Sequence, residues 1–351
     1  MKVCFVLPRF SRRPIGGFKI VFEYANRLSE YGNEVLLLFA NEDVFVEYKI
    51  PNFLKGICSN IMTQIEPRWF SLNENVKKIS GLNQIVKINE NVDVVIATGA
   101  ETVSVCERYF PKSRKVYLIQ GFETWVMKED ELYKTFNAGF KNIVVSSWLK
   151  SIVDSHCKEN SILIKNPIDL SVYLPNKPIE NRTNYTLGLL YHTAECKGLK
   201  YSIETIRILK EKYPDLKVYM FGTSKPKEKI PGLVRFIKDA SQKQTIELYN
   251  EVSVFMCSSI NEGYGLTAME AMACGAAVAS TNYEGILEYG KNNENCLLSP
   301  VKNSKAMAKN IERLFEDDEL RYKISKQGRE SLSVFDWKIA TKKFLNVIDE
   351  K

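Results

Sequence analysis

The chain has 351 residues, 45% hydrophobic and 26% charged, ordinary proportions for a soluble globular protein and enough length for two domains. Its 49 Lys and Arg against 42 Asp and Glu leave a net charge of +7, which suits anionic ligands such as nucleotide diphosphates, or an anionic membrane surface. Neither a zinc-ligand spacing nor a long arginine-rich run is present, which argues against nucleic acid as the partner.

The first apolar run, Val3 to Leu7, predicts a strand. A glycine-bearing loop with Gly16 and Gly17 follows, then a helix with Ile20, Val21, Tyr24, Ala25 and Leu28 on one face, closed by Gly32. Glu34 to Ala40 is the next strand, completing a β-loop-α-β unit. The stretch from Asn41 to Asn91 carries no clear pattern. Further strands are predicted at Val92–Thr98, Lys115–Ile119, Asn142–Val145 and Ser161–Ile164. Such uniformly apolar runs fit central strands of a parallel sheet covered on both faces.

Asn166-Pro167-Ile168-Asp169 and the polar stretch from Asn176 to Asn184 read as a linker, after which the alternation restarts. Strands are expected at Tyr185–Tyr191, Lys217–Phe221, Val254–Ser258 and Ala276–Ser280, with helices at Lys200–Lys212, Thr245–Val252 and through Met269 and Met272. The tail from Ser304 reads as helical, and Trp337 starts a last helix. Two successive β/α alternations predict an α/β protein of two doubly wound, Rossmann-like domains, with ligands in the cleft they face. The expected division is an N-terminal acceptor domain (1–165), a C-terminal donor domain (166–335) and a final helix (336–351) crossing back.

Eight scattered cysteines without a CxxC pair read as buried reduced thiols, and two histidines are too few for a His-based zinc site. Pro8 and Arg9 interrupt what would be the apolar core of a signal peptide, and no run of about 18 apolar residues occurs. The expected location is therefore the cytoplasm.

The chemistry concentrates in Ser258–Thr281. Glu262 and Glu270 stand there with seven residues between them, and Gly263, Tyr264 and Gly265 lead into a helix. Main-chain N–H groups at Gly265, Leu266 and Thr267 would open that helix and could receive a diphosphate. Two carboxylates near such a terminus can accept hydrogen bonds from a ribose and from a hexose. Taken singly, each glutamate could equally be an acidic residue favoured by the helix dipole.

This segment resembles the E-x7-E motif of retaining GT-B glycosyltransferases, especially glycosyltransferase family 4. Companion motifs follow the family's order over nearly the whole chain: Gly16-Gly17, Asn166-Pro167-Ile168-Asp169, Lys197-Gly198 and Trp337. The resemblance implies that Glu270 binds the nucleotide ribose, Glu262 the transferred sugar and Lys197 the diphosphate. It implies that Gly16 and Gly17 let the main chain approach the donor. It further implies transfer with retention by front-face attack, in which the leaving phosphate oxygen takes the acceptor proton. No DxD sequence occurs, so neither a metal nor another cofactor is expected.

Two positions depart from the family's pattern. His192 stands where an arginine is usual, and a neutral imidazole is a weaker phosphate partner than a guanidinium. Gln120 stands where many members have a histidine; it can bond a sugar hydroxyl but cannot shuttle a proton. The Ile119–Glu123 string looks like that of rhamnosyltransferase-type members building bacterial surface glycans, with Glu123 either orienting the acceptor or simply starting a helix. The expected partners are a nucleotide-diphosphate sugar and a glycan or lipid-linked acceptor. A basic surface of Arg9, Arg12, Arg13 and Lys19 would allow peripheral contact with the inner face of a membrane. The alternatives are a catalytically weak nucleotide-sugar-binding protein of the same fold, and another α/β enzyme such as a GT-B-fold epimerase or a dinucleotide oxidoreductase. The first loop lacks the GxGxxG that the oxidoreductase would need.

Overall fold

The computed structural model describes residues 1–41, 44, 51–81 and 92–350, and the chain divides into two compact units. Unit 1 comprises Met1–Asn166 with Lys338–Lys351, and unit 2 is Pro167–Trp337.

In unit 1 the elements run β1 (Lys2–Leu7), α1 (Gly16–Glu30), β2 (Glu34–Phe39), α2 (Asn52–Ile65), β3 (Lys77–Ser80), β4 (Val94–Ala97) and α3 (Ala100–Tyr109). They continue with β5 (Arg114–Ile119), α4 (Glu129–Phe136), β6 (Lys141–Val144), α5 (Ser147–His156) and β7 (Ile162–Leu163). Every strand pair is parallel, in the order β3-β2-β1-β4-β5-β6-β7. The apolar runs became buried central strands: Val3 to Leu7 and Val94 to Ala97 are all 0% exposed. The last helix, α11 (Trp337–Asp349), supplies Phe344 to this core, where its ring stacks on Tyr24 at 4.4 Å between centroids.

Unit 2 runs β8 (Thr186–Tyr191), α6 (Leu199–Lys212), β9 (Lys217–Gly222), β10 (Leu233–Lys238), α7 (Gln242–Glu251) and β11 (Val254–Cys257). Then come α8 (Leu266–Ala273), β12 (Ala277–Thr281), β13 (Leu297–Ser299), α9 (Ser304–Glu316) and α10 (Asp318–Glu330). The sheet is again wholly parallel, in the order β10-β9-β8-β11-β12-β13. In each sheet the chain first builds outward one way and then returns to build the other way. This creates a switch point between β1 and β4 in unit 1, and between β8 and β11 in unit 2. Loops at the carboxyl ends of strands flanking such a point splay apart and leave room for a ligand.

The polar stretch 176–184 is not a free tether. Arg182 is 5% exposed and donates to the carbonyls of Lys177, Tyr249, Val252 and Cys274 at 2.6–2.9 Å. Burial lowers its pKa to about 10, so the guanidinium stays charged at neutral pH. That charge lies beside the carboxyl terminus of α8, where the helix dipole favours a cation. Among the described residues, no helix is long and apolar enough to cross a membrane.

Candidate functional site

The switch point of unit 2 brings together the loop after β8 and the loop after β11. The first carries His192 and Lys197, the second Glu262. A main-chain seam joins them: Ile260 N–H donates to Cys196 O at 2.7 Å. Gly198, at φ +62°, sits so close to the second loop that a Cβ there would lie 2.1 Å from Ser258 O. Ser258 Oγ completes the seam with hydrogen bonds to the Lys197 and Gly198 carbonyls.

Held this way, Lys197 Nζ lies 2.8 Å from Glu262 Oε2, with side chains 26% and 11% exposed. The carboxylate's other oxygen accepts from Ser259 Oγ. Burial alone would lower the Lys197 pKa, but the charge and hydrogen bond of Glu262 outweigh it and hold the ammonium above its ordinary value. His192 goes the other way. Burial lowers its pKa, the Lys197 charge adds to this, and Glu262 only partly opposes it. The ring is therefore neutral at neutral pH. Ala194 N–H donates to His192 Nδ1 at 3.1 Å, so the neutral ring carries its proton on Nε2. A ligand would meet a fixed cation and a neutral donor side by side.

Gly265 starts α8 in the left-handed region at φ +88°, and a Cβ on it would lie 1.9 Å from Tyr283 Oη. Its carbonyl accepts from Tyr289 Oη at 2.5 Å. Tyr264 is buried against the Tyr289 ring, so Tyr264 and Gly265 shape the turn from beneath its surface. Gly263, Leu266 and Thr267 are partly exposed, and the first-turn N–H groups of any helix lack carbonyl partners within that helix.

One turn into α8, Glu270 is gripped from two sides. Tyr173 Oη donates to its Oε1 and Tyr249 Oη to its Oε2, both at 2.9 Å, and Gln242 Nε2 donates to Tyr173 Oη at 3.2 Å. Burial, reinforced by the Glu270 charge, pushes the Tyr249 pKa well up, so this phenol keeps its proton and serves as a donor. Arg329 Nη1 donates to the carbonyls of Tyr173 and Ala273, tying the segment that carries Tyr173 to the end of α8. Nothing in the sequence marks Tyr173 and Tyr249, which lie 97 and 21 residues from Glu270. Ser259 was within reach of sequence reasoning, because it lies three residues before Glu262.

Unit 1 gathers the other candidates at its own switch point. A Cβ on Gly17 would lie 3.3 Å from Gln120 Nε2, so the glycine gives the Gln120 amide its place. Gln120 Oε1 is buried without a hydrogen-bond partner. Gly16 is exposed at the start of α1. Glu123 Oε2 accepts from Ala100 N–H at 2.6 Å, at the first residue of α3. Burial raises its carboxyl to about 7, with Glu101 adding to the rise and the Ala100 hydrogen bond opposing it. Among the described residues, no group of three or more His, Cys, Asp or Glu side chains is arranged to hold a metal ion.

Residues 176–331, nearly all of unit 2, match the family model described as glycosyl transferases group 1. A curated relative, the capsular polysaccharide biosynthesis glycosyltransferase CapM of Staphylococcus aureus, is 26% identical over 245 residues. The match takes in 63% of this chain and 64% of that relative, just under two thirds of its length. Anabaena HepE, solved with UDP and glucose, superposes with a TM-score of 0.76 at 16% identity, covering 99% of both chains. TarM of S. aureus, solved with UDP among its ligands, gives 0.75 at 12% identity over 99% of this chain and 100% of that one. The fold is thus GT-B, two parallel-sheet Rossmann-like domains.

Two substitutions test the geometry. Gly265→Ala puts a Cβ into Tyr283 and an alanine into the left-handed region, and should destabilise unit 2 by about 3 kcal/mol. Tyr249→Phe leaves Glu270 Oε2 short of a donor and should cost about 1–3 kcal/mol. Hydrogen exchange of the α8 amides reads both; wild-type protection in either variant contradicts the packing described.

Proposed function

We propose that this protein is a retaining glycosyltransferase of family 4. It moves a hexose or deoxyhexose from a nucleotide-diphosphate sugar to a hydroxyl of a glycan or lipid-linked acceptor, in bacterial surface polysaccharide synthesis. The observation that carries this reading is the Lys197–Glu262 pair, held at 2.8 Å across the unit 2 switch point and close in sequence to the start of α8. The family match over residues 176–331 and the likeness to CapM support it. The string at Gln120–Glu123 supports, within that class, a rhamnosyltransferase-like member.

In this reading Glu262 is the counter-ion that Lys197 exchanges for the donor diphosphate. Once freed from Lys197, the carboxylate accepts a hydroxyl of the transferred sugar. His192 adds its Nε2–H to the phosphates, a hydrogen bond without a second charge. Leu266 and Thr267 offer main-chain N–H groups to the same phosphates, on the donor-binding turn formed by Gly263, Tyr264 and Gly265. Glu270, held in place by a phenol on each oxygen, is the acceptor for the ribose hydroxyls. Gly16 and Gly17 leave space for the donor.

As the bond between the anomeric carbon and the phosphate oxygen breaks, negative charge grows on the diphosphate. Lys197 and the dipole of α8 stabilise that charge more in the transition state than before it. The acceptor oxygen bonds to the anomeric carbon on the face the phosphate leaves. Its proton passes to the departing phosphate oxygen, so no side-chain base is required. Gln120 and Glu123 are assigned to the acceptor side.

Peripheral membrane contact has support from α2, whose amphipathicity is reversed. Its buried positions are Gly56, Ser59 and Thr63, with Ser59 and Thr63 accepting from Asn41 Nδ2 at 2.9 and 3.2 Å. Its outer side exposes Phe53, Ile57, Ile61 and Ile65 at four-residue spacing, between 41% and 63%. The helix holds no acidic residue, and Arg12 reaches its Met62 sulfur at 3.5 Å. An apolar stripe beside cationic side chains suits an anionic lipid surface.

Turnover of UDP-glucose, UDP-N-acetylglucosamine, GDP-mannose and dTDP-rhamnose, with and without acceptor glycans, tests the activity. One donor should be consumed, with kcat about 10²–10³-fold lower in Lys197→Ala. Donor binding without turnover would instead favour a binding protein, and hydride transfer with NAD would overturn the reading. For the membrane surface, the chain should pellet with phosphatidylglycerol vesicles, and Ile57→Glu with Ile61→Glu should weaken this about tenfold. A wild-type chain that stays in the supernatant removes that contact.

A further inference from the structure

Among the described residues, Trp125 is the most solvent-open large hydrophobic residue, at 72%. It belongs to the turn that follows β5, at the carboxyl edge of the unit 1 sheet. Three main-chain bonds brace that turn: Thr124 N–H to Phe122 O, and the Val126 and Met127 N–H groups to Glu123 O. The indole rests on main chain, because a Cβ at Gly121 would lie 3.0 Å from Trp125 Cη2. The turn is braced and the edge of the ring lies over a glycine, while most of the indole is in water.

The same turn holds Glu123. Among the described residues, the one hydrogen bond of its side chain is that which Oε2 accepts from Ala100 N–H, which leaves Oε1 without a hydrogen bond. Gly99, the residue before α3, lies next to this carboxylate and to Pro8: a Cβ there would be in ordinary contact with both, 3.6 Å from Oε2 and 3.7 Å from Pro8 Cγ. Residues from the ends of β1, β4 and β5 therefore converge on one small area. An anchored carboxylate and a flat apolar ring two residues away are complementary to a molecule with both hydroxyls and a C–H face. A pyranose has both: its ring C–H bonds pack against an aromatic face, and its hydroxyls donate to a carboxylate. A purely lipidic partner would use the ring and leave the carboxylate buried without benefit.

We propose that the turn 120–125 is a carbohydrate subsite, in which Trp125 stacks on a pyranose ring and Glu123 Oε1 accepts one of its hydroxyl protons in a hydrogen bond. The inference rests on the transferase reading for its biological sense and sharpens it: the acceptor presents a sugar to this chain, whatever that sugar is attached to. Gln120, on the other side of Gly121, borders the subsite from the direction of Gly17. At neutral pH the Glu123 carboxyl can take up both charge states, so it can accept from or donate to a sugar hydroxyl.

The test is saturation-transfer NMR on the full chain with methyl α-glycosides of glucose, galactose, mannose, rhamnose and N-acetylglucosamine. At least one should bind with a Kd of about 1–10 mM, as expected of a single sugar. Trp125→Ala should weaken it about tenfold or more, Trp125→Phe about threefold or less, and Glu123→Gln by an intermediate amount. The phenylalanine variant keeps the comparison valid if the alanine variant is poorly folded. Equal binding by wild type and both Trp125 variants overturns the subsite, and so does the absence of binding by every glycoside. Donor turnover is followed in parallel on the wild-type protein. Glycoside binding that depends on Trp125 without any turnover counts against the transferase and leaves the subsite. Turnover with glycoside binding indifferent to Trp125 does the reverse.

Discussion

The 2.7 Å hydrogen bond from Ile260 N–H to Cys196 O ties the loop after β8 to the loop after β11, and the charged geometry of unit 2 depends on it. These loops leave adjacent parallel strands and would otherwise diverge. The seam, with Gly198 packed on Ser258 O, sets Lys197 opposite Glu262 at salt-bridge distance. A partly buried ion pair of this kind contributes little net stability, since desolvation offsets most of its Coulomb gain. What it does is hold a cation ready. An anion with more charge than one carboxylate can displace Glu262 from Lys197 without the lysine having to move or lose solvent. The same logic extends to Glu270, which two phenols fix in place before any ligand arrives.

Much of the fold was legible because buried parallel strands write themselves as apolar runs. Val3–Leu7, Glu34–Ala40 and Val254–Ser258 each announce a central strand in this way. Of the edge strands, β7 lies within the predicted run Ser161–Ile164, whereas β3 and β10 were not announced. Lys77–Ser80 and Leu233–Lys238 are partly exposed, and have no reason to be uniformly apolar. Helix α2 was illegible for a different reason, because its buried side is built from Gly56, Ser59 and Thr63 while its isoleucines face outward. A pattern reader assumes that apolar means inside. Trp125 breaks the same assumption.

At the candidate site, the sequence announced the residues with chemistry and not those that hold them. Glu262, Glu270 and Lys197 stand out by type and spacing. Tyr173 and Tyr249 do not, since their link to Glu270 exists only after the chain has folded. Gly265 was legible as a special position, although for a partial reason. The sequence marks it as a helix start whose N–H could receive a diphosphate, while the structure shows a left-handed residue that Tyr283 leaves no room to enlarge. The two units also differ in kind. Unit 2 presents charge that is paired and fixed, suited to a phosphate-bearing ligand. Unit 1 presents an amide, one carboxyl shifted upward and an open indole, suited to hydroxyls and ring faces.

Hydrogen–deuterium exchange of the whole chain, compared without and with saturating UDP, GDP or dTDP chosen by calorimetry, tests whether the tied loops of unit 2 hold a nucleotide. Nucleotide binding at the unit 2 switch point predicts added protection in residues 192–200 and 258–273, where the two tied loops and α8 lie. Calorimetric binding that leaves both segments exchanging at their ligand-free rates would contradict it.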